Sequence, residues 1–295
     1  MKTPLFHGSC TAIITPWCEN GIDYDRFSRL IEHQFENGTA ALLVCGTTGE
    51  NATMSENEHN ELVRFAVNAS SGRMKIIAGV GSNDTEKALR FAQNAKAVGA
   101  DGILMVTPYY NKTSQRGLIS HFNYVADRVD LPMILYNVPG RTGMSIAPDT
   151  YEVLARHPRI NGVKEASGDL SLAAEIRSRC GDELNLWSGN DENTIPMMAL
   201  GAHGVISVAS NLVPGVMTKL CALCENGDYP AAVQLYSRYS DLIKALFMET
   251  NPIPVKSAMK LAGLDSGMLR LPLIELSEEH LLILRRRMQD LGLIN

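Results

Sequence analysis

Eight short apolar runs, most of them followed by a polar or glycine-rich turn and then a segment of helical period, predict an α/β fold. The expected architecture is a (β/α)8 TIM barrel with a C-terminal helical extension. The runs begin 20 to 35 residues apart and are continuously apolar rather than alternating, as strands covered on both faces are. No G-x-G-x-x-G opens a helix after the first run, which argues against an open doubly wound dinucleotide-binding sheet.

The expected strands are CTAIIT (10–15), AALLVC (40–45), KIIAGV (75–80), GILMVT (102–107), PMILYN (132–137), INGVK (160–164), LNLWS (184–188) and GVISV (204–208). Helical periods fill 23–37, 55–70, 84–98, 114–129 and 170–180. From about residue 228 the strand pattern stops, and DYPAAVQLYSRYSDLIKALFMET, PIPVKSAMKLAGL and SEEHLLILRRRMQDLG read as three helices. Ser277 followed by Glu278 and Glu279 marks the start of the last. The expected organisation is a barrel over 1–227 and a three-helix extension over 228–295, with no linker between them.

Composition narrows the function. The chain is 45% hydrophobic and 20% charged, as soluble enzymes are, and its net charge of −5 argues against a nucleic-acid surface. The basic run Arg285-Arg286-Arg287 sits in a helical pattern and reads as a solvated face. No 18-residue apolar stretch and no signal-peptide h-region are present, so neither membrane span nor signal peptide is expected. Six cysteines are too sparse for a disulfide scaffold, and the C-x-x-C of Cys221 and Cys224 lies in an apolar run without further ligands. The expected compartment is the cytoplasm.

In a barrel of this kind the chemistry sits at the C-terminal ends of the strands. Of the ten lysines, Lys164 alone falls at such an end. Lys75 begins a strand, and Lys112 lies five residues into a loop. The same filter collects Thr15, Gly46-Thr47-Thr48-Gly49-Glu50, Thr107-Pro108-Tyr109-Tyr110, Tyr136-Asn137 with Arg141, and Ser188-Gly189-Asn190. A lysine at the end of an internal strand is unusual, since burial strips water from the ammonium; the plain alternative is a side chain that snorkels to the surface. A free amine titrates near about 10.4, and desolvation is what makes one a nucleophile. Attack on a ketone gives a protonated imine, an electron sink, and a neighbouring hydroxyl such as that of Tyr136 can carry the protons. The small residues of CGTTGE (45–50) leave amides open to an anion, and Arg141 has the planar fork that suits a carboxylate.

The motifs GTTGE, TPYYNK, ILYNVPGRTG and GVKEASGD, in that order, resemble the dihydrodipicolinate synthase family. It lies within the superfamily of pyruvate-dependent class I aldolases and lyases that includes N-acetylneuraminate lyase. The resemblance spans essentially the whole chain. It implies condensation of pyruvate with aspartate semialdehyde and no metal or organic cofactor. The scattered histidines, with no H-E-x-x-H, agree with the latter.

By the same resemblance Lys164 is the Schiff-base lysine, with Tyr136, Thr47 and Tyr110 as a proton relay, Tyr110 entering from a neighbouring subunit. Thr48 binds the pyruvate carboxylate, Arg141 that of the aldehyde, and Gly189 and Ile206 line the site with backbone. The resemblance further implies a homotetramer built from tight dimers. Family members inhibited by lysine bind it in a cleft where His59 and Asn83 match, whereas Glu56 and Lys87 depart from the pattern. A cation at Lys87 opposes a cationic ligand, so weak or absent inhibition is expected. Two other readings are a lyase of sugar acids, which is not expected to carry PGRTG, and a non-catalytic barrel, which is expected to lose site residues.

Overall fold

Gly8–Ala12 (β1) pairs with both Ala41–Val44 (β2) and Gly204–Ser207 (β8), so a sheet of eight parallel strands closes without an edge. The strands between are Lys75–Gly79 (β3), Gly102–Val106 (β4), Met133–Asn137 (β5), Ile160–Glu165 (β6) and Asn185–Ser188 (β7). This computed structural model describes residues 1–295. A helix follows every strand: Tyr24–Glu36 (α1), Glu56–Ser70 (α2), Thr85–Ala97 (α3), Gln115–Ala126 (α4), Pro148–Ala155 (α5), Leu170–Cys180 (α6), Thr194–Ala199 (α7) and Pro214–Glu225 (α8). Tyr229–Ala245 (α9), Ile253–Leu261 (α10) and Glu278–Asp290 (α11) complete the chain. None of the helices is long and apolar enough to cross a membrane.

The apolar runs lack alternation because both strand faces are packed. Leu42 and Val44 of β2, Met133 and Leu135 of β5 and Val205 of β8 join a core of 67 buried residues between sheet and helices. Their neighbours Leu43, Ile134, Tyr136 and Ile206 join a separate group of 12 inside the barrel. Burial of each such aliphatic side chain contributes about 1.5–3 kcal/mol. Phe6 stacks on Trp187, ring centroids 4.9 Å apart, and plugs the lower end. Polar side chains of the interior therefore gather at the other end, where the strands finish.

Local signals set the helix starts. Asp23, Asp84, Ser114 and Asp169 each accept a hydrogen bond from the first turn of α1, α3, α4 and α6. Ser55 and Glu58 cap each other's backbone at α2, a reciprocal arrangement in which losing the cap costs about 1 kcal/mol.

The expected first strand, 10–15, is shifted. It begins at Gly8 and ends at Ala12, because the amide of Ile14 turns from the ladder to the Asn211 side chain, 3.0 Å away. Thr15 thus lies three residues past the strand. Helices α5 and α7, eight and six residues long, are too short to show a period in the sequence.

Gly162 of β6 faces inward, and a Cβ there would lie 2.4 Å from the Asn185 carbonyl oxygen and 2.5 Å from the Trp187 ring. Gly162→Ala is expected to lower stability by about 1–3 kcal/mol, read as a drop in the denaturant midpoint.

Candidate active site

Two register pairs at the ends of β5 and β6 build the site. Tyr136 sits beside Lys164 and Asn137 beside Glu165. Side chains alternate along a strand, so the first pair points into the barrel and the second out toward the helices. Asn137 Nδ2 donates to Glu165 Oε2 at 2.9 Å, and the buried Tyr151 hydroxyl of α5 donates to the same oxygen at 3.1 Å. The amide of Ser167 donates to Glu165 Oε1 at 2.7 Å. Glu165 accordingly locks the strand ends from outside, and the inward pair inherits that rigidity. Burial raises the Tyr151 pKa well above its usual value, with the Glu165 charge beside it adding to the effect, so this hydroxyl stays protonated as a donor.

Lys164 is 5% exposed, and its Nζ lies 4.4 Å from the centroid of the Tyr136 ring. The inward direction rules out the snorkelling alternative. Both side chains line a cavity of about 180 Å3 at the C-terminal ends of the strands, joined by Thr47, Thr48, Arg141 and Gly189. Glycine at 189 is a matter of space: a Cβ there would meet Lys164 Cε at 3.1 Å and the Ala166 Cβ at 2.5 Å.

Thr47 and Thr48 belong to a turn bracketed by two non-glycine residues in the left-handed region, Cys45 at φ 57° and Glu50 at φ 58°. Each such residue costs about 1–2 kcal/mol and persists only where the surroundings impose it. The surroundings come largely from the C-terminal extension. Asn251 Nδ2 donates to Thr48 Oγ1 at 2.9 Å, and the backbone oxygen of Asn251 accepts from Arg141 Nη2 at 3.3 Å. Arg141 itself stands exposed at the rim, on a short turn opened by Pro139.

Ile206 is fully buried in the interior layer, and Val208, two residues on, is the one that lines the cavity. Tyr110 is 92% exposed at φ 67° on the loop after β4 and takes no part in lining its own chain's cavity.

A sequence model of the Dihydrodipicolinate synthetase family matches residues 5–291. The chain belongs to that family. The 4-hydroxy-tetrahydrodipicolinate synthase of Clostridium tetani is 45% identical over 291 residues, 98% of this chain and 99% of the relative. The structure of dihydrodipicolinate synthase from Aquifex aeolicus superposes with a TM-score of 0.96 at 45% identity, covering 98% of this chain and 99% of that one. The chloride-inhibited dihydrodipicolinate synthase from Acinetobacter baumannii, complexed with pyruvate, gives the same TM-score at 40% identity, covering 98% and 99% of the two chains.

The residues matched to the family's lysine cleft lie elsewhere, His59 and Lys87 of them against Phe91. His59 is buried, stacks on Phe91 with centroids 3.9 Å apart, and has Nε2 2.8 Å from the Gly79 carbonyl oxygen. Burial lowers its pKa. Lys87 Nζ lies 5.5 Å from the centroid of the Phe91 ring, and Glu56 pairs with Arg90 at 2.9 Å. The backbone oxygen of Asn83 accepts from Asn111 Nδ2 at 2.9 Å. None of these residues lines the cavity. No group of three or more His, Cys, Asp or Glu side chains is arranged to hold a metal ion.

Several site residues were not singled out from the sequence. Phe247 and Asn251 of the extension line the cavity, and Lys256 of α10 is fully buried against Glu50. The signal for Lys256 was its spacing, since Ile253, Lys256 and Met259 share one buried helix face. Asp191 is buried, its Oδ2 accepting the amides of Val208 and Ala209 at 3.1 and 3.0 Å. Burial raises its pKa, opposed by those bonds and by the Lys164 charge.

Beside the turn, Arg270 donates to Glu58 Oε2 at 3.0 Å, and bonds from Arg270 lead the causes that hold the Glu58 carboxyl down at about 2. A depressed carboxyl contributes stability that is present above its unfolded value of 4.5 and lost as pH falls toward about 2. The free energy of unfolding of Arg270→Met is therefore expected to vary less steeply across that window than the parent's, as urea titrations at each pH would read.

Proposed function

We propose that this chain condenses pyruvate with L-aspartate 4-semialdehyde, the reaction of 4-hydroxy-tetrahydrodipicolinate synthases. The observation that carries the reading is Lys164, inward, desolvated and over the Tyr136 ring in a cavity that faces the Thr47–Thr48 turn. Its amine adds to the keto carbon and expels water, giving an imine whose methyl group loses a proton to form an enamine. The enamine carbon attacks the aldehyde. The amino group of the second substrate then closes the ring, and the product leaves by transimination that frees Lys164.

In this reading Tyr136 and Thr47 pass the protons, and Thr48 with the adjoining amides takes the pyruvate carboxylate. Arg141, exposed at the rim, holds the carboxylate of the aldehyde, which a lyase of sugar acids such as N-acetylneuraminate has no reason to require. Gly189 gives backbone room beside Lys164, and Ile206 supports the floor. Tyr110 completes the relay from a second copy. The support is its exposure on a strained loop outside its own cavity, and the assembly that fits this reading is a homotetramer of dimers. The sparse cysteines favour the cytoplasm as its setting.

Borohydride reduction with pyruvate, followed by peptide mass mapping, is expected to place the adduct on Lys164 and to find none in Lys164→Ala. An adduct on any other lysine overturns the assignment. Lys87 and the engaged Glu56 make the cleft around His59 a poor site for a cationic amino acid. Activity is therefore expected to persist at millimolar L-lysine. Strong inhibition at sub-millimolar concentration contradicts this.

A further inference from the structure

Lys256 and Glu50 form the most deeply buried ion pair of the molecule, both side chains at 0% exposure with Nζ 2.8 Å from Oε1. Neither charge is left with a bare pole. Lys256 Nζ also donates to the Thr15 carbonyl oxygen at 2.9 Å. Glu50 Oε1 accepts from Trp17 Nε1 at 2.9 Å, and Oε2 accepts from the Arg270 amide at 3.1 Å. The Arg270 guanidinium stacks on the Trp17 ring at 3.7 Å, and its Nη1 donates to the Thr53 oxygen at 3.2 Å. Thr15 Oγ1 donates to the Gly49 oxygen at 2.8 Å. Three separated stretches, the segment after β1, the turn after β2 and the C-terminal extension, meet on one carboxylate.

That carboxylate belongs to a residue held in the left-handed region, one step past Gly49 and two past Thr48. A strained turn keeps its shape only while its anchors hold. Fastening this helix to the barrel needs no buried lysine, because apolar packing does that without the cost of desolvating two charges.

We infer that Lys256 and Glu50 are a positioning pair for the Thr47–Thr48 turn, through which the C-terminal helices set the geometry of the carboxylate-binding end of the cavity. The inference rests on the assignment of Thr48 to the pyruvate carboxylate. Neither side chain of the pair touches substrate. Removing the pair loosens the anchor at the Thr48 end of the turn and weakens its hold on the carboxylate, a loss of binding.

Lys256→Met alone leaves an unpaired buried carboxylate and can fail to fold, so the informative variant is Glu50→Gln with Lys256→Met, which removes both charges at similar volume. In the full-length protein the double variant is expected to recover much of the Tm lost in Lys256→Met. Its KM for pyruvate should rise about tenfold with kcat within about threefold of the parent, the split produced by lost binding. Thr48→Val should show the same split. A double variant with a parental KM for pyruvate, at whatever Tm, reduces the pair to a fold-stabilising contact and overturns the inference. If Thr48→Val keeps a parental KM, the carboxylate assignment fails by itself. The pair is then judged by the crystal structure of the double variant: a displaced Thr47–Thr48 turn sustains it, and an unmoved turn overturns it.

Discussion

Everything chemical in this molecule depends on the parallel register of β5 with β6, which sets Tyr136 beside Lys164 on the inside and Asn137 beside Glu165 on the outside. One residue of slippage would exchange the two pairs between core and cavity. The outward pair prevents this through the Asn137–Glu165 bond, with Tyr151 from α5 and the Ser167 amide donating to the same carboxylate. The inward lysine is then held over a ring face where water is scarce, an environment suited to covalent capture of a small keto acid.

The opposite wall of the cavity is made differently. It is a turn whose two left-handed ends are unfavourable alone, and it is kept in place by the β1 loop and the C-terminal helices. One wall thus derives from sheet register and the other from side-chain bonds that span more than 200 residues of sequence. The extension is part of the site in this sense: Phe247 and Asn251 line the cavity, and Lys256 braces the turn.

The barrel was legible because its strands are covered on both faces and its helices repeat, so period and spacing carried the fold. Lys164 was legible because a lysine at the end of an internal strand conflicts with burial and so points to chemistry. The rest was hidden for physical reasons. The apolar pattern puts Thr15 at a strand end, but the ladder stops earlier, since the capture of the Ile14 amide by Asn211 is a contact 197 residues away in sequence. Asn251 and Lys256 read as ordinary helix-flanking and helical residues, because nothing local tells that their helix lies over the barrel mouth. Glu165 shows no role in the sequence, since its partners Asn137 and Tyr151 meet it only once β5, β6 and α5 are assembled.

A crystal soaked with pyruvate tests the central claim most directly. Continuous density from Lys164 Nζ to the keto carbon, with the carboxylate lying against the Thr47–Thr48 turn, is the result expected. Pyruvate left unattached in the cavity, or bound with its carboxylate turned toward Arg141, would contradict the account.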